Sequence, residues 1–363
     1  MPLKCGIIGL SGSGKTTLFN CISNNRAEVH QAAYTSSKSN LGVMNVPDPR
    51  LFAIDTLIKS ARIVQTTIEM VDIPGLSKGG SQTEGNKFLS DIRNVDALIH
   101  VIRCFDDPQL PHIEGSIDPV RDKEIVDLEL QIKDLESVEK KLNRSEKLLK
   151  AGDKDAKRCI EVLQIFKNHF ESFQSARTAP VTEDDRRYVS DLFLLTDKPL
   201  MVVCNVDDKS AIPGNEYSRR LMDSIKAEDA ALLIIAGRME SDIAELELQE
   251  DRLAFLADAG LSEPGVNRLV RSAFRLLDLE IFFTAGPKEV RAWTIRKGMT
   301  APQAAGVIHS DLERGFIRAE VMKYEDFIRL KTEHACREAG KLAIEGKNYV
   351  VKDGDILHIR FNV

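Results

Sequence analysis

The chain has 363 residues, a formal net charge of −6, 43% hydrophobic residues and 29% charged ones. Single cores stop growing at about 250–300 residues, so two or three domains are expected, and an ordinary apolar fraction with 22 Gly and 13 Pro excludes collagen-like, low-complexity and disordered chains. No run approaches the ~18 apolar residues of a membrane span, so no membrane partner is expected, and net acidity taken alone argues against nucleic acid.

Met1–Ile8 runs directly into a strand pattern, which predicts neither signal peptide nor anchor. Residues 4–9 read as a short buried strand, followed by a glycine-rich turn and a helix over Lys15–Ser23. Gly9-Leu-Ser-Gly-Ser-Gly14-Lys15-Thr16 satisfies G-x-x-x-x-G-K-[ST] between that strand and that helix. The backbone N–H groups of Ser11, Gly12, Ser13 and Gly14 then turn inward around phosphates, helped by the positive end of the helix. Lys15 is expected to reach the β/γ-phosphates and the Thr16 hydroxyl to ligate Mg²⁺, with Thr17 among the nucleotide contacts.

A second strand, Thr67–Val71, delivers Asp72-Ile-Pro-Gly75. Asp72 is the candidate carboxylate for Mg²⁺, and Gly75 presents its N–H to a γ-phosphate. Where Ras-like proteins place a water-orienting Gln, this chain has Leu76, so slow turnover is expected unless another residue acts. His112, in the loop Pro108–Gly115 beyond the strand Ala97–Ile102, is the candidate; the alternative is a surface histidine without a role. Gly79, Gly80 and Gly85 suggest a flexible switch rather than the Arg-rich lid of a small-molecule kinase.

From Asp122 to about Ala176 charged residues dominate, and Ile125, Leu128, Ile132, Leu135 and Leu142 form a heptad stripe. The pattern pauses at Ala151-Gly-Asp153 and resumes through Ile160, Leu163, Phe166 and Phe170, which predicts an antiparallel helical hairpin. Its charges read mostly as solvated faces, although a protruding arm can also meet a partner.

The strand Leu200–Cys204 leads into Asn205-Val206-Asp207-Asp208, an N-x-x-D base-reading motif with Val in place of the usual Lys. A carboxylate at Asp208 can accept from guanine N1 and N2; the alternative is an ordinary acidic loop. The strand Leu232–Ala236 brings Ala236 and Gly237 to close the base pocket. After Asp278 an α+β domain is expected: a strand at Val290–Ile295, a helix at Ala301–Leu312, and a hairpin of Tyr349–Val351 with Ile356–Phe361 across the turn Lys352-Asp-Gly-Asp355. Six scattered cysteines without zinc-site spacing point to a reduced, cytoplasmic protein. The last 83 residues carry 14 Lys/Arg against 11 Asp/Glu, so the acidity resides in the remainder and an RNA partner is permitted.

With these residues in order, the chain resembles the YchF/Obg-like ATPase family of translation-factor-related G proteins over nearly its whole length. Further matching segments are Val46-Pro-Asp-Pro-Arg-Leu51, Gly85-Asn-Lys-Phe-Leu89, Val101-Ile-Arg-Cys-Phe105, Phe283-Thr-Ala-Gly286, Lys288-Glu-Val-Arg-Ala-Trp-Thr294, Gly315-Phe-Ile-Arg-Ala319 and Lys352–Asp355. The resemblance implies an α/β fold: a P-loop NTPase G domain with a doubly wound, mostly parallel sheet (1–120 and 196–280), an inserted antiparallel α-helical hairpin (121–195) and a C-terminal β-grasp (TGS, ubiquitin-like) domain (281–363).

It also implies ribosome association through rRNA or a ribosomal protein, slow ATP hydrolysis with Mg²⁺, and a catalytic role for His112 with Lys15. A monomer is expected. Three departures stand out. Ser11-Gly12-Ser13 replaces the usual Pro-Asn-Val, which bears on K⁺ stimulation; Ser36 stands where a Mg²⁺-ligating Thr is expected; and Asp208 replaces the Glu common in ATP-preferring members. ATP is favoured by the resemblance, with GTP as the alternative. A second alternative is a ribosome- or RNA-binding module whose nucleotide site gates docking with little hydrolysis.

Overall fold

A computed structural model of the protein describes residues 3–23, 39–75, 82–153, 155–228 and 230–362. The chain divides into two compact units, Met1–Gly42 with Glu69–Val266, and Val43–Ile68 with Asn267–Val363.

The first unit is built on a sheet of order β2-β4-β1-β5-β6-β7. Its strands are β1 (Lys4–Ile8), β2 (Asn40–Asn45), β4 (Thr67–Asp72), β5 (Ala97–Cys104), β6 (Leu200–Val206) and β7 (Ala231–Ile235). β1 pairs in parallel with β4 and β5, β5 with β6, and β6 with β7. β5 and β6 are buried along their entire length, as continuous apolar runs must be when helices cover both faces of a parallel sheet. Such a sheet places ligand-binding loops at the carboxyl ends of its strands. The helix α1 (Lys15–Ile22) follows β1, as its sequence pattern predicts.

Two further helices are α2 (Pro49–Ile58) and α3 (Gln82–Arg93). Gly85, expected in a flexible switch, lies inside α3, while Gly79 and Gly80 fall outside the described residues.

The helical hairpin consists of α4 (Pro119–Lys150) and α5 (Ala156–Glu171). Asp118 caps α4 by accepting from the Val120 and Arg121 amides, with Pro119 at the first helical position, where its missing N–H costs nothing. The expected heptad stripe holds in part: Ile125, Leu135 and Leu142 pack against the cores. Leu128 and Ile132 are exposed instead, and the buried positions include Val126, Leu130, Asp134 and Val138, four residues apart, with Pro119, Asp122, Lys123, Gln131 and Ser145 also buried. A four-residue spacing keeps neighbouring positions near one face of a straight helix, and here it includes polar members that the apolar pattern hides. Asp134 accepts from the Leu195 and Thr196 amides, both at 2.8 Å, and from Thr196 Oγ1 at 2.7 Å. Val138, Val162, Leu163, Phe166 and Phe170 form the hairpin's own core.

The second unit has the sheet order β11-β10-β12-β8-β9-β3. These strands are β3 (Ile63–Val64), β8 (Leu279–Ala285), β9 (Val290–Arg296), β10 (Phe316–Lys323), β11 (Leu342–Glu345) and β12 (Asp355–Phe361). β8 and β9 form an antiparallel hairpin, the helix Ala301–Ile308 follows, and β12 returns in parallel beside β8 and antiparallel to β10. That is a β-grasp order, as expected. The expected hairpin of Tyr349–Val351 with Ile356–Phe361 does not form. Only Val350 bridges, to Thr300, and β12 takes β10 and β8 as partners. Asp355 explains the departure: fully buried, it accepts from Lys323 Nζ at 2.5 Å, Tyr349 Oη at 2.7 Å and the Lys352 amide at 3.0 Å, so the turn is anchored inward. Phe316 belongs to the core here.

The expected boundaries also shift. Residues 43–68, assigned by sequence order to the G domain, group with the C-terminal unit, and within them β3 pairs with β9 and α2 packs on β8 and β9, while the ends of β2 and β4 stay in the first sheet. Arg50 makes the attachment. Its guanidinium donates to Asp48 (Nη2–Oδ2 2.8 Å) and to Asp353 (Nη1–Oδ2 2.7 Å), and stacks 5.4 Å from the Phe283 ring. Burial would raise the Asp353 carboxyl, but the Arg50 hydrogen bonds and the Ile281 amide outweigh it and hold the group below the usual carboxylate range.

Two outcomes follow from these polar anchors. Asp134→Ala strands two amides and a hydroxyl in the interior and is expected to cost about 3 kcal/mol in urea unfolding. A depressed carboxylate stabilises fully above its unfolded pKa of about 3.9 and loses that contribution as pH falls through the folded value. The stability gap between wild type and Asp353→Asn, read by thermal melts, should therefore be widest near neutrality and close below about pH 4.

Candidate nucleotide site

The loops singled out for nucleotide binding that lie among the described residues leave the carboxyl ends of parallel strands. Gly9–Thr16 follows β1, Asp72–Gly75 ends β4, His112 lies beyond β5, Asn205–Asp208 ends β6, and Ala236–Gly237 follows β7. α1 starts at Lys15 with Gly14 as its N-terminal cap, at φ 92°. A Cβ there would lie 2.1 Å from Asn205 Nδ2, so glycine is required both by conformation and by space. Ser11 is half-buried, Gly12 exposed and Ser13 buried, with Thr16 and Thr17 half-buried behind them.

Lys15 is 6% exposed and donates to the Leu10 carbonyl at 2.7 Å, an intraloop bond that closes the turn. Burial pulls its ammonium down to about 8, against the opposing charge of Asp72. Thr16 Oγ1 donates to Asp72 Oδ2 at 2.8 Å, while Asp72 Oδ1 is buried without a hydrogen-bond partner among the described residues. Burial raises the Asp72 carboxyl; Thr16, Lys15 and Asn40, at the start of β2, act in the other direction. A hydroxyl and a carboxylate oxygen side by side, one lone-pair set unused, form a hard-oxygen donor set suited to Mg²⁺. Gly75 lies directly over this turn: a Cβ would meet Lys15 Nζ at 2.6 Å and the Gly9 carbonyl and Ser11 amide at 3.0 Å.

On the opposite side, Asn205 is 4% exposed and fully engaged. Its Nδ2 donates to the Ser13 carbonyl at 2.9 Å and its Oδ1 accepts from the Gly237 amide at 2.9 Å. Asn205 therefore joins the phosphate loop to the Ala236–Gly237 turn. Val206 is buried at the end of β6; Asp207 caps the next turn through the Ser210 amide, and Asp208 is exposed.

His112 is not a free surface residue. Its ring is 5% exposed, Nε2 lies 2.8 Å from Asp122 Oδ2, and Nδ1 accepts from the Glu114 amide at 3.1 Å. The amide at Nδ1 assigns the proton to Nε2, which donates to the carboxylate. Leu10, Ser11, Ser13, Arg103, His112 and Asp122 line one cavity of about 10 Å³, so the histidine borders the phosphate loop. The residues that hold it there carry no motif. Asp122 sits in the first turn of α4 and is also bound by Arg121 (Nη2–Oδ1 2.8 Å). Arg103 donates to the Leu110 carbonyl at 2.9 Å and to the Phe105 carbonyl at 3.1 Å, which shapes the loop. The signal available beforehand was Arg103 itself, a charged residue inside the apolar run of β5. Ser36 and Leu76 lie outside the described residues.

Comparison with known proteins decides the family. Ribosome-binding ATPase YchF from Bacillus subtilis is 45% identical across the full length of both chains, and that from Haemophilus ducreyi 44%. This chain belongs to the YchF family. The family model described as 50S ribosome-binding GTPase matches residues 4–163, and YchF-GTPase_C, a domain of unknown function, matches 279–362. A YchF GTPase structure from Schizosaccharomyces pombe superposes with a TM-score of 0.87 at 33% identity, covering 99% of this chain and 98% of that one. The P-loop G domain followed by a C-terminal sheet domain is thus the YchF architecture.

For this YchF-family site, the crowding at Gly75 makes a sharp prediction. Gly75→Ala forces a methyl against Lys15 Nζ and two backbone atoms, and is expected to weaken nucleoside triphosphate binding at least ~10-fold in a fluorescent-analogue titration, with little change in melting temperature.

Proposed function

We propose that this chain is a Mg²⁺-dependent nucleoside triphosphatase, with ATP preferred, that associates with ribosomes as a cytoplasmic monomer. The observation that carries the reading is the Thr16–Asp72 contact at the mouth of the phosphate loop, with Asp72 Oδ1 unused beside Lys15. The loop amides of Ser11 to Thr17 and the N-terminus of α1 bind the phosphates, and Lys15 gives up the Leu10 carbonyl for the β/γ-phosphates. Thr16, Asp72 and, by family resemblance, Ser36 would hold Mg²⁺. Mg²⁺ bound there would supply charge neutralisation for the β/γ-phosphates. Gly75 supplies its N–H to the γ-phosphate, and Ala236, Gly237, Val206 and Asp208 surround the base, with Asn205 holding the two sides in register.

His112 is the residue for the attacking water. With Nε2 protonated, Nδ1 is the atom that can accept a hydrogen bond from water, once it releases the Glu114 amide. That prior engagement favours slow turnover, and it also lends support to the second reading, in which nucleotide gates docking and hydrolysis is incidental.

Steady-state rates with ATP and GTP, with and without purified ribosomes, separate the two. Lys15→Ala is expected to lose tight triphosphate binding. His112→Ala should keep its affinity for ATP and lose at least ~10-fold in kcat. Wild-type protein should co-sediment with ribosomes, hydrolyse ATP more efficiently than GTP and turn over faster on ribosomes. A ribosome-independent rate that His112→Ala leaves unchanged would favour the gating module.

A further inference from the structure

The helical hairpin is far from uniform in charge. Residues 119–139 hold three Lys/Arg against seven Asp/Glu, whereas 140–158 hold eight against three. One long helix therefore carries an acidic root and a basic tip within a protein that is acidic overall. The arm's cations, the tip's included, divide into paired and unpaired ones. Lys133 pairs with Glu136, Lys167 with Glu139, Lys141 with Asp191 and Arg158 with Asp185. Arg144, Lys147, Lys150 and Lys157 are exposed and, among the described residues, make no hydrogen bond or ion pair; Lys140 acts on Glu136 one turn back only through space.

Four of these form an ordered row. Lys140, Arg144, Lys147 and Lys150 follow one another at spacings of four, three and three, which keeps them on one side of α4. The opposite side carries Val138 and Ser145, buried toward α5. The row spans ten residues, or ~15 Å of rigid helix. Nothing in the fold needs it: like charges at such spacings repel and destabilise a helix slightly. A line of unneutralised cations at ~5 Å intervals on a rod complements a linear polyanion with regularly spaced charges, better than it does a compact acidic patch.

We propose that the tip of this arm is an RNA-docking surface, with Lys140, Arg144, Lys147 and Lys150 contacting the phosphate backbone of structured RNA. The inference rests on the ribosome reading for its physiological partner, but its chemistry stands on the arm alone. Contact with phosphates fixes position without reading sequence, so the surface recognises helical RNA by shape and charge.

The test uses the full-length chain with all four residues replaced (Lys140→Gln, Arg144→Gln, Lys147→Gln, Lys150→Gln), changes that keep helix propensity. Affinity is measured across a salt series for purified ribosomes and, separately, for a naked RNA duplex. The variant is expected to bind both at least ~10-fold more weakly, and its log K against log salt slope should be shallower by about 3.6, the duplex share of four phosphate contacts. ATP turnover without ribosomes should be unchanged, and Lys140→Arg, Lys147→Arg and Lys150→Arg together should retain binding. Arm-dependent binding to the duplex without binding to ribosomes would overturn the ribosome reading and leave this proposal standing. A loss on ribosomes with duplex binding intact would mean a protein partner and overturn it. Equal affinities and slopes for variant and wild type, or no binding to either probe, would also overturn it.

Discussion

Asn205 donates to the Ser13 carbonyl and accepts from the Gly237 amide, so one buried carboxamide spans from the loop after β1 to the turn after β7. Both bonds are made inside the protein, where an unmet partner costs about 1–3 kcal/mol. The rest of the site takes its geometry from that link. Gly14 has to be glycine because Asn205 passes within 2.1 Å of where a Cβ would be. Lys15 follows as the first residue of α1, and Thr16 then meets Asp72 across the sheet. The turn after β7 is tied to the loop after β1 by these two hydrogen bonds.

The parallel sheet makes this economy available. Five strands running the same way deliver five loops to one edge, and the adjacent strands β5 and β6 are buried along their whole length. The polar groups at that edge are shifted by burial in the expected directions: Lys15 downward, Asp72 upward. Each is paired within the protein in a way that a bound nucleotide and its metal would replace. His112 follows the same rule, with Asp122 and the Glu114 amide occupying both ring nitrogens.

How much of this could be read in the chain depends on the range of the interaction. The Gly9–Thr16 loop, the strands β1, β4, β5, β6 and β7 and the helical hairpin are set by local pattern, and they were legible. The hairpin's packing face was legible only in part: Ile125, Leu135 and Leu142 pack as expected, but buried Asp134 and Ser145 carry no apolar signal while exposed Leu128 and Ile132 imitate one. The Tyr349–Val351 hairpin failed for a related reason. Lys352–Asp355 has turn chemistry, yet the buried pairing of Asp355 with Lys323 and Tyr349 decides where β12 goes. Asp122 as the partner of His112 is a contact between loop and helix that no motif announces. Least legible was the membership of 43–68, since a two-residue strand and an ordinary helix say nothing about which sheet they join.

That last feature bears on how the protein is made. β3 and α2 leave the ribosome early, but the strands that cover them belong to Asn267–Val363. The whole of Glu69–Val266 must be synthesised before their partners exist. During that interval Leu51 and Ile54, buried in the finished fold, have no sheet to lie against, and the first unit must form around a tethered, unfinished piece of the second. Cutting the gene at the start of the C-terminal sheet would not release an intact domain. It would leave that sheet without its edge strand and without Arg50, so the two units are separable in space but not in the order of the chain.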